Sequence, residues 1–106
     1  MQMDELLKFI EVESEHIKKA YFDDDNVKAV LAITVKISEE LGELSEQVLA
    51  HSSMQRKDKL QEIDKSKLSE EFADVLITAL ILAKTMNIDI KSALKLKIEK
   101  INQRYH

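Results

Sequence analysis

The feature that most constrains the fold of this chain is the near absence of residues that interrupt helices. Its 106 residues include no proline and one glycine, Gly42. Average composition would give roughly 7 glycines and 5 prolines in this length. Because β-hairpins need turn residues and nucleotide-binding loops need several glycines, an all-β fold and a Rossmann or P-loop site are both excluded. The sequence therefore predicts an all-α fold, a four- or five-helix antiparallel bundle forming one domain over residues 1–106.

The composition also excludes several classes of site and location. The chain has no cysteine, which removes disulfides, thiolate metal sites and cysteine nucleophiles. Its net charge of −4 and its few aromatic residues argue against nucleic-acid binding. The longest apolar run, residues 75–83, is far shorter than the ~20 residues of a membrane span. The first residues lack a signal-peptide pattern, so we expect a cytoplasmic protein without membrane partners.

Hydrophobic periodicity places four helices along the chain. Asp25 or Asn26 is suited to cap the second helix, Asn87 to end the third in a left-handed conformation, and Asp89 to cap the fourth. A polar stretch at residues 52–65 is expected to form a loop or a short surface helix. The predicted helices span residues 4–21, 27–51, 66–86 and 90–104.

Two helices each carry a pair of carboxylates three residues apart. Helix two holds Glu40 and Glu43, and helix three holds Glu71 and Asp74. At ~100° per residue, positions three or four apart share a helix face. If the two helices pack antiparallel, four carboxylates surround one point, where their repulsion opposes burial unless a divalent cation neutralises it.

The surroundings of these carboxylates favour burial and self-association. Beyond Asp74, helix three is apolar nearly all round, which is typical of a central helix. Helix two has a second apolar side, with Leu31, Val35 and Leu49, and this predicts a dimer or tetramer. Gly42 lies between Glu40 and Glu43 although glycine costs about 1 kcal/mol inside a helix, so we expect another helix or a ligand to approach it closely.

The ligand set indicates the metal. Four carboxylates without cysteine or histidine are hard oxygen ligands, which suit Mg²⁺, with Mn²⁺ as a possible substitute, better than Zn²⁺. Carboxylate-bound Mg²⁺ usually also contacts substrate phosphates. Cationic side chains that could bind such phosphates lie near the motifs and on helix four: Lys36, Lys67, Lys97, Lys100 and Arg104.

These motifs resemble those of the MazG-type all-α nucleoside triphosphate pyrophosphatase family. That family carries Glu-x-x-Glu on one helix and Glu-x-x-Asp on the next. Here the first motif lies in the string KISEELGELSE and the second in EEFADVL. The resemblance continues to Tyr105 and covers about two-thirds of the chain.

The resemblance implies a Mg²⁺-dependent enzyme that hydrolyses a nucleoside triphosphate (NTP or dNTP) to the monophosphate and pyrophosphate. It implies Glu40, Glu43, Glu71 and Asp74 as metal ligands, and phosphate contacts by Lys36, Lys67 and one or more of Lys97, Lys100 and Arg104. We expect Glu43 or Glu40 to orient or deprotonate the attacking water. Some members of the family stack the base on tryptophan, which this chain lacks, and its aromatic residues Tyr21, Phe22 and Phe72 are expected in the core.

Two other functions remain open from the sequence. One is a non-catalytic helical oligomerisation or regulatory module, which would gain no stability from Mg²⁺. The other is a related enzyme on the same scaffold, such as phosphoribosyl-ATP pyrophosphohydrolase, which would differ in substrate. In every case we expect a homodimer or homotetramer.

Overall fold

A computed structural model gives the fold and describes residues 1–52 and 65–105. The described residues form four helices and no strand, which confirms the all-α prediction. The predicted ends of each helix lie within one residue of the observed ones. Residues 53–64, which make up most of the predicted polar stretch, lie outside the described part of the chain. The helices are α1 (Met3–Phe22), α2 (Asn26–His51), α3 (Lys65–Thr85) and α4 (Ile90–Gln103).

Short polar side chains produce the turns that glycine and proline supply in other proteins. Asp23 and Asp24 both adopt positive φ after α1, and Asn87 does so after α3. The carboxylate of Asp25 accepts a hydrogen bond from the Lys28 N–H at 3.2 Å, and Asp89 accepts one from the Ser92 N–H at 3.1 Å. Aspartate and asparagine tolerate the left-handed region better than most side chains. The two hydrogen bonds confirm the caps predicted at Asp25 and Asp89, and the positive φ of Asn87 confirms its left-handed conformation.

The core lies where α3 packs against α2 and α1. The buried apolar residues of the described chain are Ile10 of α1, Ala29 and Ile33 of α2, and Ile81 of α3. Phe22 and Ile77 are half-buried against them. This core aligns α2 and α3 side by side and thereby sets the relative position of their acidic residues.

Several apolar residues that were expected in the core are exposed. Leu76 of α3 is 63% exposed, so α3 is not covered all round within the protomer. Tyr21 and Phe72 are exposed as well, and only Phe22 of the three aromatic candidates joins the core. The prediction failed because periodicity shows which faces are apolar but not whether the same chain covers each of them.

The last helix has few contacts with the rest of the protomer. Helix α4 contains no buried residue, and its apolar residues Leu94 and Ile98 are exposed. An ion pair between Lys91 and Asp4, at 3.2 Å, joins its first turn to the start of α1. Within residues 1–52 and 65–105, the helices lack the apolar length that a membrane crossing requires.

Candidate metal centre

Packing of α2 against α3 brings three carboxylates together. Glu40 and Glu43 lie one turn apart on α2, and Glu71 lies on α3. One carboxylate oxygen from each residue lies within 4.8 Å of those of the other two. We call these three residues the acidic cluster.

The acidic cluster is buried at one side and open at the other. Glu40 is buried, Glu71 is half-buried and Glu43 is exposed. Oε2 of Glu40 and Oε2 of Glu71 are buried without a hydrogen-bond partner among the described residues. Because a buried polar atom without a partner is costly, these two oxygens point to a ligand between the helices.

The ionisation of Glu71 reflects this crowding. Burial raises the pKa of Glu71 above its ordinary value, and the neighbouring charges of Glu43, Asp74 and Glu40 raise it further. A hydrogen bond with the carboxyl group of Glu43 acts in the same direction. A positive charge placed between these groups would reverse the effect by favouring the ionised forms.

Asp74, the fourth predicted ligand, is less closely placed. It is half-buried one turn beyond Glu71, and its charge contributes to the raised pKa of Glu71. It is not part of the group whose oxygens lie within 4.8 Å of one another. Asp74 therefore lies outside the acidic cluster but close enough for its charge to act on Glu71.

Lys36 is the predicted cation that the structure brings to the acidic cluster. Its Nζ lies 3.1 Å from Oε1 of Glu40 and 3.8 Å from Oε2 of Glu39. A hydrogen bond and the charge of Glu40 raise the pKa of Lys36, so its ammonium stays charged. The spacing of four residues between Lys36 and Glu40 was visible in the sequence, but it did not distinguish an ion pair from a free cation.

The other predicted cations are exposed and form no ion pair with a carboxylate among the described residues. Lys67 lies on the first turn of α3. The remaining three follow α4 to its end: Lys97, Lys100 and Arg104.

Gly42 has open space around it within the protomer. A methyl group built on its Cα would meet no atom within 4 Å beyond its own helix. The expected close approach of a neighbouring helix therefore does not come from the described part of this chain.

One cavity lies away from the acidic cluster. It has a volume of about 490 Å³ and lies between α1, the end of α3 and the start of α4. Leu7, Ile10 and Leu80 are among its apolar lining residues. Three lysines and three acidic residues balance one another around it, so its walls offer no net charge to an anionic ligand: Lys8, Lys84, Lys91, Asp4, Glu11 and Asp89.

The acidic cluster is suited to a divalent cation on chemical grounds. All its available ligand atoms are carboxylate oxygens, which bind hard cations such as Mg²⁺ and Mn²⁺. Two of its buried oxygens have no other partner among the described residues. The exposed side of Glu43 leaves access for water and for a phosphate group.

Comparison with known proteins identifies the family. The MazG nucleotide pyrophosphohydrolase domain matches residues 28–106, which include the whole acidic cluster. The chain belongs to the MazG nucleotide pyrophosphohydrolase family. This MazG chain is also 32% identical over 105 residues to the uncharacterized protein YpjD of Bacillus subtilis (strain 168), covering 95% of the chain and 87% of YpjD. No solved structure matches the present chain.

Proposed function

We propose that this MazG protein is a Mg²⁺-dependent pyrophosphohydrolase that cleaves a nucleoside triphosphate, NTP or dNTP, to the monophosphate and pyrophosphate. The observation that carries the proposal is that Glu40 and Glu71, both members of the acidic cluster, each have a buried oxygen without a hydrogen-bond partner among the described residues. The family match supports the reaction class, since its domain is described as a nucleotide pyrophosphohydrolase.

The proposed metal ligands are Glu40, Glu43, Glu71 and Asp74. The first three already have oxygens within 4.8 Å of one another, and Asp74 borders them. Mg²⁺ is the proposed cation and Mn²⁺ a substitute, because both accept all-oxygen sites. When bound, a divalent cation in such a site offsets the negative charge that develops on the phosphate oxygens.

The reaction needs one bond made and one broken. The oxygen of a water molecule bonds to the α-phosphorus, and the bond from that phosphorus to the α–β bridging oxygen breaks, releasing pyrophosphate. Glu43 is the exposed member of the acidic cluster, so its carboxylate is accessible to this water and can accept its proton. Glu40, the buried member of the acidic cluster, is the second candidate for this base.

Cationic side chains are available for the triphosphate. Lys36 lies at the acidic cluster, and the exposed ammonium of Lys67 lies on the same helix as Glu71. We propose that Lys36, Lys67 and the basic residues of α4 bind the phosphates, which carry several negative charges. The α4 residues in this set are Lys97, Lys100 and Arg104.

We also propose that the protein is a homodimer or homotetramer. On α2, Leu31 and Val35 are 63% and 61% exposed, and Leu49 is exposed on the same side. Val35, Gly42 and Leu49 are spaced by seven residues, so they follow one face of the helix. The open space at Gly42 allows a helix of a second copy to approach this face closely.

A substrate panel tests the proposal. The protein is incubated with Mg²⁺ and NTPs, dNTPs or phosphoribosyl-ATP, and the products are separated to distinguish the monophosphate from the diphosphate. Glu71→Gln is compared with Glu70→Gln, which alters the neighbouring exposed residue. The proposal expects monophosphate and pyrophosphate from an NTP or dNTP, with loss of activity in Glu71→Gln only.

Other results would refute parts of the proposal. Turnover of phosphoribosyl-ATP alone would refute NTPs and dNTPs as the substrates but would still support cleavage that releases pyrophosphate. Diphosphate as the product, or equal activity in Glu71→Gln and Glu70→Gln, would refute the reaction and the site. No turnover of any substrate would favour the non-catalytic oligomerisation module.

A further inference from the structure

Lys36 and Glu40 form an ion pair between an exposed residue and a buried one. The side chain of Glu40 is 9% exposed, whereas that of Lys36 is 57% exposed. Lys36 Nζ lies 3.1 Å from Oε1 of Glu40 and 3.8 Å from Oε2 of Glu39. A buried carboxylate is therefore neutralised by a flexible ammonium that can move into solvent without unpacking the core.

The ion pair satisfies only part of the acidic cluster. It uses Oε1 of Glu40, while Oε2 remains buried without a partner among the described residues. Oε2 of Glu71 is in the same state. One ammonium facing three carboxylates leaves an excess of negative charge when all three are ionised, which is the condition that attracts a more highly charged ion.

Lys36 and a divalent cation would compete for the same carboxylate. The two positive charges repel each other at short range, and this repulsion is lowered if Lys36 leaves Glu40. We propose that Lys36 is a resident counterion that the acidic cluster exchanges for a divalent cation, and that the released ammonium then binds a substrate phosphate. This inference rests on the proposed function, and it adds a role for Lys36 in the metal-free protein.

Three possible roles of Lys36 predict different effects of its removal. A counterion that yields to the metal opposes metal binding, so its loss tightens binding. A residue that only positions Glu40 for the metal assists binding, so its loss weakens binding. A residue that contacts only phosphate leaves metal binding unchanged.

The decisive experiment is a calorimetric titration of Mn²⁺ into the protein without nucleotide. It compares wild type, Lys36→Met, Lys36→Arg and the control Lys28→Met. Lys28 is exposed on α2, and its twelve-residue separation from Glu40 corresponds to roughly 18 Å along the helix, which exceeds the screening length of about 8 Å at physiological salt. Lys28→Met therefore removes the same charge without affecting the acidic cluster.

The inference expects Lys36→Met to bind Mn²⁺ about three- to tenfold more tightly than wild type, as one unit charge near a divalent ion in partly screened surroundings would give. Lys36→Arg and Lys28→Met should bind like wild type. Thermal denaturation gives a second readout, because Lys36→Met should gain more from Mn²⁺ than wild type does. Circular dichroism checks that each variant is helical, and Lys36→Gln replaces Lys36→Met if the latter does not fold.

Kinetics with nucleotide test the second half of the inference. In Lys36→Met the KM for the nucleotide should rise about tenfold, the loss expected for one charge-assisted hydrogen bond, although Mn²⁺ binds more tightly. Opposite effects on metal and substrate are the signature of the exchange, and an unchanged KM would refute the transfer of Lys36 to phosphate.

The failure of this inference differs from the failure of the proposed function. If wild type binds Mn²⁺ but Lys36→Met binds it equally or less tightly, the exchange is refuted and the metal centre stands. If wild type binds no Mn²⁺, the proposed metal centre is wrong and the exchange is wrong with it. Tighter Mn²⁺ binding by Lys36→Met without turnover of any nucleotide would support the displacement of Lys36 by the metal and refute the enzymatic proposal.

Discussion

A carboxylate oxygen of Glu40 on α2 lies within 4.8 Å of a carboxylate oxygen of Glu71 on α3. One oxygen of each is buried without a hydrogen bond among the described residues. Like charges at this distance repel, so the arrangement is stable only if a proton or a cation intervenes. This relationship between the two residues determines how the protein should respond to metal and to pH.

The first prediction concerns the stabilisation of the protein by metal. Glu39 and Glu40 are adjacent, but the side chain of Glu39 is 59% exposed and that of Glu40 is 9% exposed. Saturating Mg²⁺, at about 100 times its Kd, should raise the free energy of unfolding by about 2.7 kcal/mol in wild type and in Glu39→Gln. Glu40→Gln should lose most of this gain. Urea denaturation with Mg²⁺ or EDTA measures it, and an equal gain in both variants would exclude Glu40 as a ligand.

The second prediction concerns pH in the absence of metal. The pKa of Glu71 is raised above its ordinary value of 4.5, so the folded state holds its proton more tightly than the unfolded state. The contribution of Glu71 to stability is therefore present below that ordinary value and is lost as pH rises through the raised pKa. In EDTA, wild type should lose stability relative to Glu71→Gln as pH rises from about 4 to about 8.

Urea denaturation at each pH measures this difference. Taking the difference between the two proteins removes the contribution of the other titrating groups. A difference that stays constant with pH would contradict the raised pKa of Glu71. Adding Mg²⁺ should reduce the loss in wild type, because the cation favours the ionised carboxylate.

The third prediction concerns the core that aligns α2 and α3. Ile81 is buried against Ile33 and Ala29, whereas Leu76 on the same helix is exposed within the protomer. Ile81→Ala should lower the free energy of unfolding by about 2–4 kcal/mol through lost contacts and a cavity. Leu76→Ala, measured at low protein concentration, should cost less than about 1 kcal/mol. Equal losses in chemical denaturation would mean that Ile81 is not the better packed residue.

Sequence reasoning predicted the helices closely because their signals are local. Apolar periodicity and the caps at Asp25, Asn87 and Asp89 depend only on neighbouring residues, and the predicted helix ends and caps agree with the structure. The carboxylate motifs could also be found, because residues three apart lie on one face of a helix. Glu39 and Glu70, which directly precede Glu40 and Glu71 in the sequence, point to other faces of their helices, and both are exposed.

What the sequence could not supply depends on contacts between helices. It gave Glu43 and Asp74 equal standing as ligands, whereas Glu43 joins the acidic cluster and Asp74 only borders it. It also did not show that Lys36, one turn before Glu40, forms an ion pair with it. The rotation and offset of α2 against α3 decide these distances, and they arise from packing of the whole core.

The fourth prediction concerns assembly. Val35 of α2 and Val12 of α1 are similarly exposed, at 61% and 57%, but only Val35 lies on the face proposed to contact a second copy. Val35→Glu places a charge in that interface and should shift the protein toward the monomer in analytical ultracentrifugation. Val12→Glu makes the same change elsewhere and should leave the mass unaltered. Retention of the wild-type mass by both variants would exclude this face of α2 as the interface.

Hydrolysis of an NTP or dNTP in ¹⁸O-labelled water shows which phosphorus the water attacks. We expect the label in the nucleoside monophosphate, because water attacks the α-phosphorus, and we expect Glu71→Gln to form no labelled product while Glu70→Gln does. Label in pyrophosphate or in orthophosphate, or undiminished labelling in Glu71→Gln, would contradict the proposed function.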